Sequence, residues 1–87
     1  MASYSVFIKP SAGKELDAVD RKKDRKRIVA RIRALGTSSR PEGCEKLSGQ
    51  FELYRIRVGS YRVIYSINDD ANEIHVVKVG HRKDVYR

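Results

Sequence analysis

The chain has 87 residues, of which 40% are hydrophobic and 34% are charged. This size allows one domain with one small core, and no apolar run approaches the roughly 20 residues of a membrane-spanning helix. The 19 Lys and Arg exceed the 11 Asp and Glu and give a net charge of +8, so we expect a polyanion or an acidic protein as partner and no membrane. The first residues lack the pattern of a secretory signal, which predicts a cytoplasmic protein.

The first half of the chain predicts a strand followed by two helices. Residues 3–9 are rich in β-branched and aromatic side chains, and Pro10 ends this strand because it lacks a backbone N–H donor. Apolar residues then recur at helical spacing in two stretches, first Ala12, Leu16 and Val19 and then Ile28, Val29, Ile32 and Leu35. Gly36 is a typical residue for the end of a helix. The spacing therefore predicts a helical hairpin, followed by a surface connection over residues 37–50.

The second half alternates apolar and polar residues with a period of two, which is typical of strands. Three strands are predicted, over residues 52–58, 61–67 and 74–79, and short turns join them. The predicted fold class is α+β: an N-terminal strand, a helical hairpin and an antiparallel three-stranded meander that completes a four-stranded sheet. We expect both helices to cover one face of this sheet and to leave the other face partly free.

Six residues of the second half are candidates for catalysis: Arg55, Arg57, Arg62, His81, Arg82 and Tyr86. The predicted pairing brings the three strand arginines together on the polar side of the sheet, and a turn at Gly80 places His81 and Arg82 nearby. Metal-free RNA cleavage needs a proton acceptor, cationic donors for the phosphate and an acid for the leaving oxygen. Arginine suits the second role because its planar guanidinium binds phosphate oxygens in a bidentate manner.

The same residues also have simpler interpretations. Alternating arginines on a half-exposed strand are typical of a solvated face, and we expect Arg62 and Arg82 to be exposed, so that their replacement changes stability little. His81 beside Gly80 is equally typical of a turn, and Tyr86 of a terminal aromatic residue packed on the core.

A basic segment lies in the first half of the chain. Residues 20–33 hold eight basic and two acidic side chains, a local charge of +6. The candidate binding residues within it are Lys22, Lys23, Lys26 and Arg27. The segment fits a solvated helix face, an anion-binding surface or a membrane-surface helix. The last is the weakest, because the apolar side lacks Trp and Phe and is needed against the sheet.

The sequence has too few cysteine and histidine residues for a disulfide or a structural metal site. Cys44 is the single cysteine and only two histidines accompany it, so we expect neither a disulfide nor a metal site nor another cofactor. Cys44 has no base near it in sequence, which favours a loop thiol over a nucleophile.

Two stretches of the second half resemble a known family. KLSGQFELYRIRVGSYRVIYSI and VVKVGHRKDVYR are similar to the RelE/ParE toxin superfamily, and specifically to its RelE branch. The resemblance implies a single RelE-like toxin domain over residues 1–87. It also implies a metal-independent, ribosome-dependent endoribonuclease that cuts messenger RNA in the A site. The implied partners are a cognate antitoxin, the ribosome with its messenger and, through the antitoxin, operator DNA.

The resemblance also implies roles for individual residues. Arg55 and Arg57 stand where the family has a basic pair, Arg62 matches the arginine of its GYR or SYR motif, and Arg82 and Tyr86 match its C-terminal arginine and tyrosine. His81 stands where other members have lysine. Arginine is a poor proton acceptor, so the basic pair is expected to stabilise charge while His81 or Tyr86 handles protons. The basic helix is expected to contact ribosomal RNA phosphates.

Two other functions remain open on the sequence. A ParE-like toxin has the same fold but inhibits DNA gyrase and generally lacks the full catalytic set, so retention of the arginines, His81 and Tyr86 favours the nuclease. A non-catalytic nucleic-acid-binding module would explain the charge alone, with steep salt dependence and no cleavage.

Overall fold

The computed structural model describes residues 3–47 and 52–81. The elements are β1 (Ser5–Ile8), α1 (Pro10–Asp17), α2 (Lys22–Ala34), β2 (Glu45–Lys46), β3 (Leu53–Val58), β4 (Tyr61–Asn68) and β5 (Glu73–His81). The strands form one sheet in the order β1-β5-β4-β3-β2, in which β1 runs parallel to β5 and the other pairs are antiparallel. The α+β class is confirmed.

The predicted number of four strands is wrong by one. The additional strand β2 has two residues, Glu45 and Lys46, which pair with Arg55 and Tyr54 of β3. Two charged residues have low β propensity and are too few to show an alternation. This part of the connection therefore becomes a strand because it pairs with β3. β2 ends the sheet as a short, charged edge.

Both helices pack on one face of the sheet, and the opposite face is called here the outer face. The core between them is formed by Ala12, Leu16, Val19, Ile28, Ile32 and Leu35 of the helical segment and by Tyr54, Ile56, Val58, Val63, Tyr65, Ile67, Ile74, Val76 and Val79 of the strands. The predicted helical spacing is confirmed by this burial. Each fully buried Ile or Leu contributes roughly 1.5–3 kcal/mol of transfer free energy, so these side chains supply most of what holds the helices to the sheet.

The ends of the first strand and of α2 are tied together. β1 stops at Ile8, and Pro10 occupies the first turn of α1, where its missing N–H needs no partner. Gly36 follows α2 as predicted, but its role is to let the backbone of Tyr4 approach closely. A Cβ on Gly36 would lie 3.1 Å from the carbonyl oxygen of Tyr4. The Tyr4 N–H donates to the Gly36 carbonyl at 2.8 Å, which fixes the start of β1 on the end of the helix.

β5 is longer than predicted and contains a bulge. Ile64 pairs with Lys78 while the adjacent Tyr65 pairs with Val76, so Val77 is the extra residue. Gly80 was predicted in a turn, and this is wrong: it lies within β5, opposite Arg62. The bulge lets Val76 and Val79 both face the core despite their odd spacing.

The part of β5 that extends beyond β1 is protected by α1. Glu15 of α1 accepts hydrogen bonds at 3.0 Å from the Val79 N–H and from Lys78 Nζ. The carboxylate thus stands where a neighbouring strand would supply a carbonyl, which shields the strand edge from pairing with another chain.

The connection between α2 and β2 is fastened to the turn after β4. Arg40 forms an ion pair with Asp69 at 3.0 Å, and the Tyr4 hydroxyl donates to the same carboxylate at 2.5 Å. These two donors lower the pKa of Asp69 below its usual value. Tyr65 donates to the Ser39 carbonyl at 2.8 Å from inside the core, and burial raises the pKa of its phenol. Within the described ranges, neither helix is long and apolar enough to cross a membrane.

Candidate functional site

Three of the predicted arginines lie together on the outer face. Arg57 of β3 and Arg62 of β4 are direct cross-strand partners, and Arg55 lies two residues along β3, opposite Ile64. Side chains that alternate with the buried residues of β3 and β4 share the other face of the sheet. The predicted juxtaposition of the strand arginines is therefore confirmed by the register.

These arginines differ in exposure. Arg57 is exposed, whereas Arg55 and Arg62 are only 6% and 5% exposed. The expectation that Arg62 is exposed is wrong, because β4 is a central strand with paired neighbours on both sides. A side chain that is buried to this extent has little rotamer freedom left to lose when it forms a further contact.

Arg55 is held by a partner that the sequence does not reveal. Its Nη2 forms an ion pair at 2.5 Å with Glu45, its cross-strand partner on β2. Glu45 itself is exposed, so the pair is open to solvent on one side. Because β2 is too short to be recognised as a strand, no sequence signal identifies Glu45 as part of the site.

His81 is not brought to the arginines. It ends β5 opposite Tyr61, and the two rings meet edge to face with centroids 5.6 Å apart. Tyr61 packs against the core on the helix side of the sheet, so the His81 ring lies on that side too. The predicted assembly of His81 with the arginines is therefore wrong, and its cause is Gly80: as a strand residue rather than a turn residue, it turns the next side chain away from the outer face.

Arg82 and Tyr86, the remaining two candidates, lie outside the described residues. Their positions relative to Arg57 and Arg62 stay predictions.

The four predicted basic residues of α2 are all exposed, and they form two rows. Lys22 and Lys26 border a groove between the helices, whose volume is about 680 Å³. The groove is lined by Leu16, Asp17, Lys22, Arg25, Lys26, Val29, Ala30 and Arg33. Lys23 and Arg27, one residue further along in each case, fall on a different row of the helix.

The second row continues to the hairpin between β3 and β4. A Cβ on Gly59 in that hairpin would lie 3.7 Å from Arg27 Nη1, so the Arg27 side chain reaches the turn. Arg31, four residues after Arg27, donates from Nη1 to the Arg57 carbonyl at 3.5 Å. Arg31 was not predicted, although its helical spacing from Arg27 is a signal that identifies it. The row Lys23, Arg27 and Arg31 therefore leads from α2 to the end of the sheet that carries Arg57.

No group of three or more His, Cys, Asp or Glu side chains among residues 3–47 and 52–81 is arranged to hold a metal ion. Cys44 is half-buried beside β2 and packs against the core, which fits the predicted loop thiol. The described outer face carries three guanidinium groups, and guanidinium binds anions such as phosphate.

Comparisons with known proteins find similarity over nearly the whole chain. Residues 6–86 match the family described as the ParE toxin of the type II toxin-antitoxin system, parDE. Among solved structures, a chain of the archaeal RelE–RelB complex from Pyrococcus horikoshii OT3 is 31% identical with a TM-score of 0.83, covering 95% of this chain and 99% of that chain. A chain of the RelB–RelE antitoxin–toxin complex from Methanococcus jannaschii is 31% identical with a TM-score of 0.73, covering 92% and 94%.

A more distant bacterial structure has a similar fold. A chain of the intact E. coli RelBE toxin–antitoxin complex is 26% identical with a TM-score of 0.78, covering 91% of this chain and 96% of that chain. No curated protein sequence matches significantly. The family match includes β3, β4 and β5, and therefore every described arginine of the outer face.

Proposed function

The chain belongs to the RelE branch of the RelE/ParE superfamily of type II toxins, and we propose that it is an endoribonuclease that cleaves messenger RNA in the ribosomal A site without a metal ion. The observation that carries this proposal is the cross-strand pair of Arg57 and Arg62 on the outer face, with Arg55 beside it.

The arginines are proposed to bind the scissile phosphate. When a 2′-hydroxyl attacks the phosphorus, negative charge grows on the non-bridging oxygens and then on the leaving 5′-oxygen. Arg57 is exposed and is proposed to meet the phosphate first, while Arg62, its cross-strand partner, is buried. Two guanidinium groups that are already positioned before the reaction stabilise the charged transition state more strongly than they stabilise the bound substrate.

Proton transfer is proposed for Tyr86 rather than His81. The His81 ring contacts Tyr61 on the helix side of the sheet, away from the arginines. Tyr86 retains the role that the family resemblance implies, and Arg82 is proposed as a further phosphate ligand. Arg55, held by Glu45, stabilises charge and does not accept a proton.

The basic surface of α2 is proposed to contact ribosomal RNA. The row of Lys23, Arg27 and Arg31 joins the outer face at the hairpin, so one polyanion can contact both. Lys22 and Lys26 of the other row add to the same positive field from the rim of the groove.

A cognate antitoxin is the proposed protein partner. The P. horikoshii and M. jannaschii relatives are each solved in complex with a RelB antitoxin. With a net charge of +8, this chain favours an acidic partner segment. Operator DNA is proposed to be reached through the antitoxin.

The test is cleavage of a defined messenger on programmed ribosomes, with no metal ion added beyond the Mg²⁺ that keeps ribosomes assembled. We expect cuts confined to the A-site codon, mapped by their 5′ ends, and none in a matched reaction with naked RNA. Equal cutting of naked RNA would contradict ribosome dependence. No cutting in either reaction would contradict the nuclease.

The family match supports a second candidate function, because residues 6–86 match a family described as the ParE toxin. A ParE-like chain would inhibit DNA gyrase without cutting RNA. A supercoiling assay separates the two: we expect no inhibition of gyrase by this chain at concentrations that give complete messenger cleavage.

A further inference from the structure

Phe7 is an aromatic side chain that the core does not use. It is 46% exposed and lies on β1, an edge strand of the sheet. Its neighbour Val6 packs against the core, so Phe7 points to the outer face, the face that carries the arginines. An apolar ring left in water on a functional face is informative, because it gains free energy when a flat partner covers it.

Phe7 does not stand alone. Its ring stacks on His75 of β5 with centroids 5.1 Å apart and an interplanar angle of 18°. His75 Nε2 is in turn 3.1 Å from the Glu73 carboxylate, which fixes the orientation of the imidazole. The side chain of His75 is also 46% exposed. The two rings therefore form one rigid aromatic surface, open to solvent.

The sheet register places this pair on the same face as the arginines, on the two strands that follow β4 in the sheet. Phe7 pairs with His75, and His75 pairs with Ser66 of β4. Ser66 shares its face of β4 with Ile64 and Arg62, and at 3.3 Å per residue it lies roughly 13 Å from Arg62. When a phosphate is bound at Arg62, the base of a nearby nucleotide can reach the Phe7 and His75 rings.

We infer that the Phe7–His75 pair is a stacking platform for a base of the single-stranded RNA whose phosphate binds at Arg57 and Arg62. This inference rests on the proposed function. Aromatic side chains on an open sheet face stack bases in other single-strand-binding folds, and stacking accepts any base because every base has a flat face.

Charge along the outer face favours a base over a phosphate at this position. The Glu73 carboxylate lies beside the His75 ring and Asp70 lies in the adjoining turn between β4 and β5, whereas Arg57 and Arg62 lie at the other end of the sheet. A phosphate is repelled by the carboxylates, but an uncharged base is not. The RNA therefore crosses the face with its backbone toward the arginines and one base over the rings.

The experiment uses the full chain and a short single-stranded RNA with 2′-O-methyl groups, which prevent cleavage, and a 2-aminopurine that reports stacking by loss of fluorescence. Phe7→Leu removes the ring but keeps the apolar volume, and Phe7→Tyr keeps the ring. Ile8→Ala is the matched control, because Ile8 is 41% exposed on the same strand but faces the other way. We expect Phe7→Leu to weaken RNA binding on the order of tenfold and to restore the fluorescence, with Phe7→Tyr and Ile8→Ala close to wild type.

An unchanged affinity and signal in Phe7→Leu would overturn the inference and leave the patch as a site for protein. Equal losses in Phe7→Leu and Ile8→Ala would also overturn it, since a general apolar edge would then explain both. The readout does not depend on cleavage, so failure of the platform and failure of the nuclease are distinguishable. If the wild-type chain cuts messenger on ribosomes and Phe7→Leu binds RNA as tightly as wild type, only the stacking platform is contradicted and the nuclease is not.

Discussion

Arg57 and Arg62 are partners in the sheet but occupy different environments, and this difference separates catalysis from folding. Arg57 is exposed and Arg62 is almost completely buried. Removing an exposed charge seldom alters the free energy of unfolding by more than about 0.5 kcal/mol, whereas truncating a buried side chain leaves a cavity and disturbs its polar neighbours. A loss of activity at Arg57 is therefore the cleaner evidence for a catalytic role.

We expect Arg57→Ala to lower A-site cleavage on the order of a hundredfold, the usual effect of removing one transition-state donor, with no measurable change in stability. Arg62→Ala is expected to lower cleavage by at least as much and also to cost about 1–3 kcal/mol of unfolding free energy. Lys14→Ala, on the exposed side of α1, removes the same charge and is the control for both. Normal cleavage by Arg57→Ala in single-turnover reactions would contradict the proposed phosphate contact.

At the scale of elements, the connection between α2 and β2 depends on one carboxylate. Asp69 accepts from Arg40 and Tyr4, and the pKa of Asp69 is lowered in the folded chain because both donors favour the ionised form. A folded pKa below the usual value of 3.8 means that the unfolded chain binds the proton more tightly. The stabilisation is thus complete above that value and is lost as the pH falls through the lower, folded pKa.

As the pH falls from about 5 to below the usual carboxyl pKa, we expect wild-type stability to decrease more steeply than that of Asp69→Asn, which keeps an acceptor oxygen but carries no charge to titrate. Urea unfolding at pH 7 and at pH 3 measures this difference. Asp70→Asn removes the same charge from the same turn and serves as the control. Parallel pH profiles for wild type and Asp69→Asn would show that the ion pair with Arg40 does not stabilise the fold.

The elements could be predicted from the sequence where one face of each is buried. Helical spacing identified α1 and α2, and alternation identified β3 and β4, because burial of a regular face leaves a period in the residues. β2 and the true length of β5 could not be predicted. β2 forms because β3 offers it a ladder, and the bulge at Val77 interrupts the alternation that would have carried the strand through Gly80.

The same limit explains what was missed in the site. The arginines were found because strand alternation places them on one face. The side that His81 occupies depends on whether Gly80 is a turn or a strand residue, and the partner of Arg55 depends on a two-residue strand. Both are decided by tertiary pairing, which leaves no local pattern in the sequence.

At the scale of the whole molecule, the positive charge is not spread evenly. The outer-face arginines and the row of Lys23, Arg27 and Arg31 converge on the hairpin between β3 and β4. The opposite end of the sheet carries Asp70 and Glu73, and there Asp69 is paired with Arg40. A polyanion therefore approaches with a preferred orientation, hairpin first, and a ribosome provides many phosphates around one exposed codon.

This polarity predicts that the two rows of α2 contribute unequally to ribosome association. Replacing Lys23 and Arg27 by Gln removes two charges from the row that reaches the hairpin, and we expect the salt dependence of binding to flatten by about 0.7 to 0.9 in log–log slope for each phosphate that the variant no longer neutralises. Replacing Lys22 and Lys26 by Gln removes the same charge from the rim of the groove and is expected to flatten the slope less. The measurement is ribosome co-sedimentation over a range of salt concentrations. Equal effects of the two pairs would mean that net charge alone drives association, because only a directed interaction distinguishes two rows of the same helix.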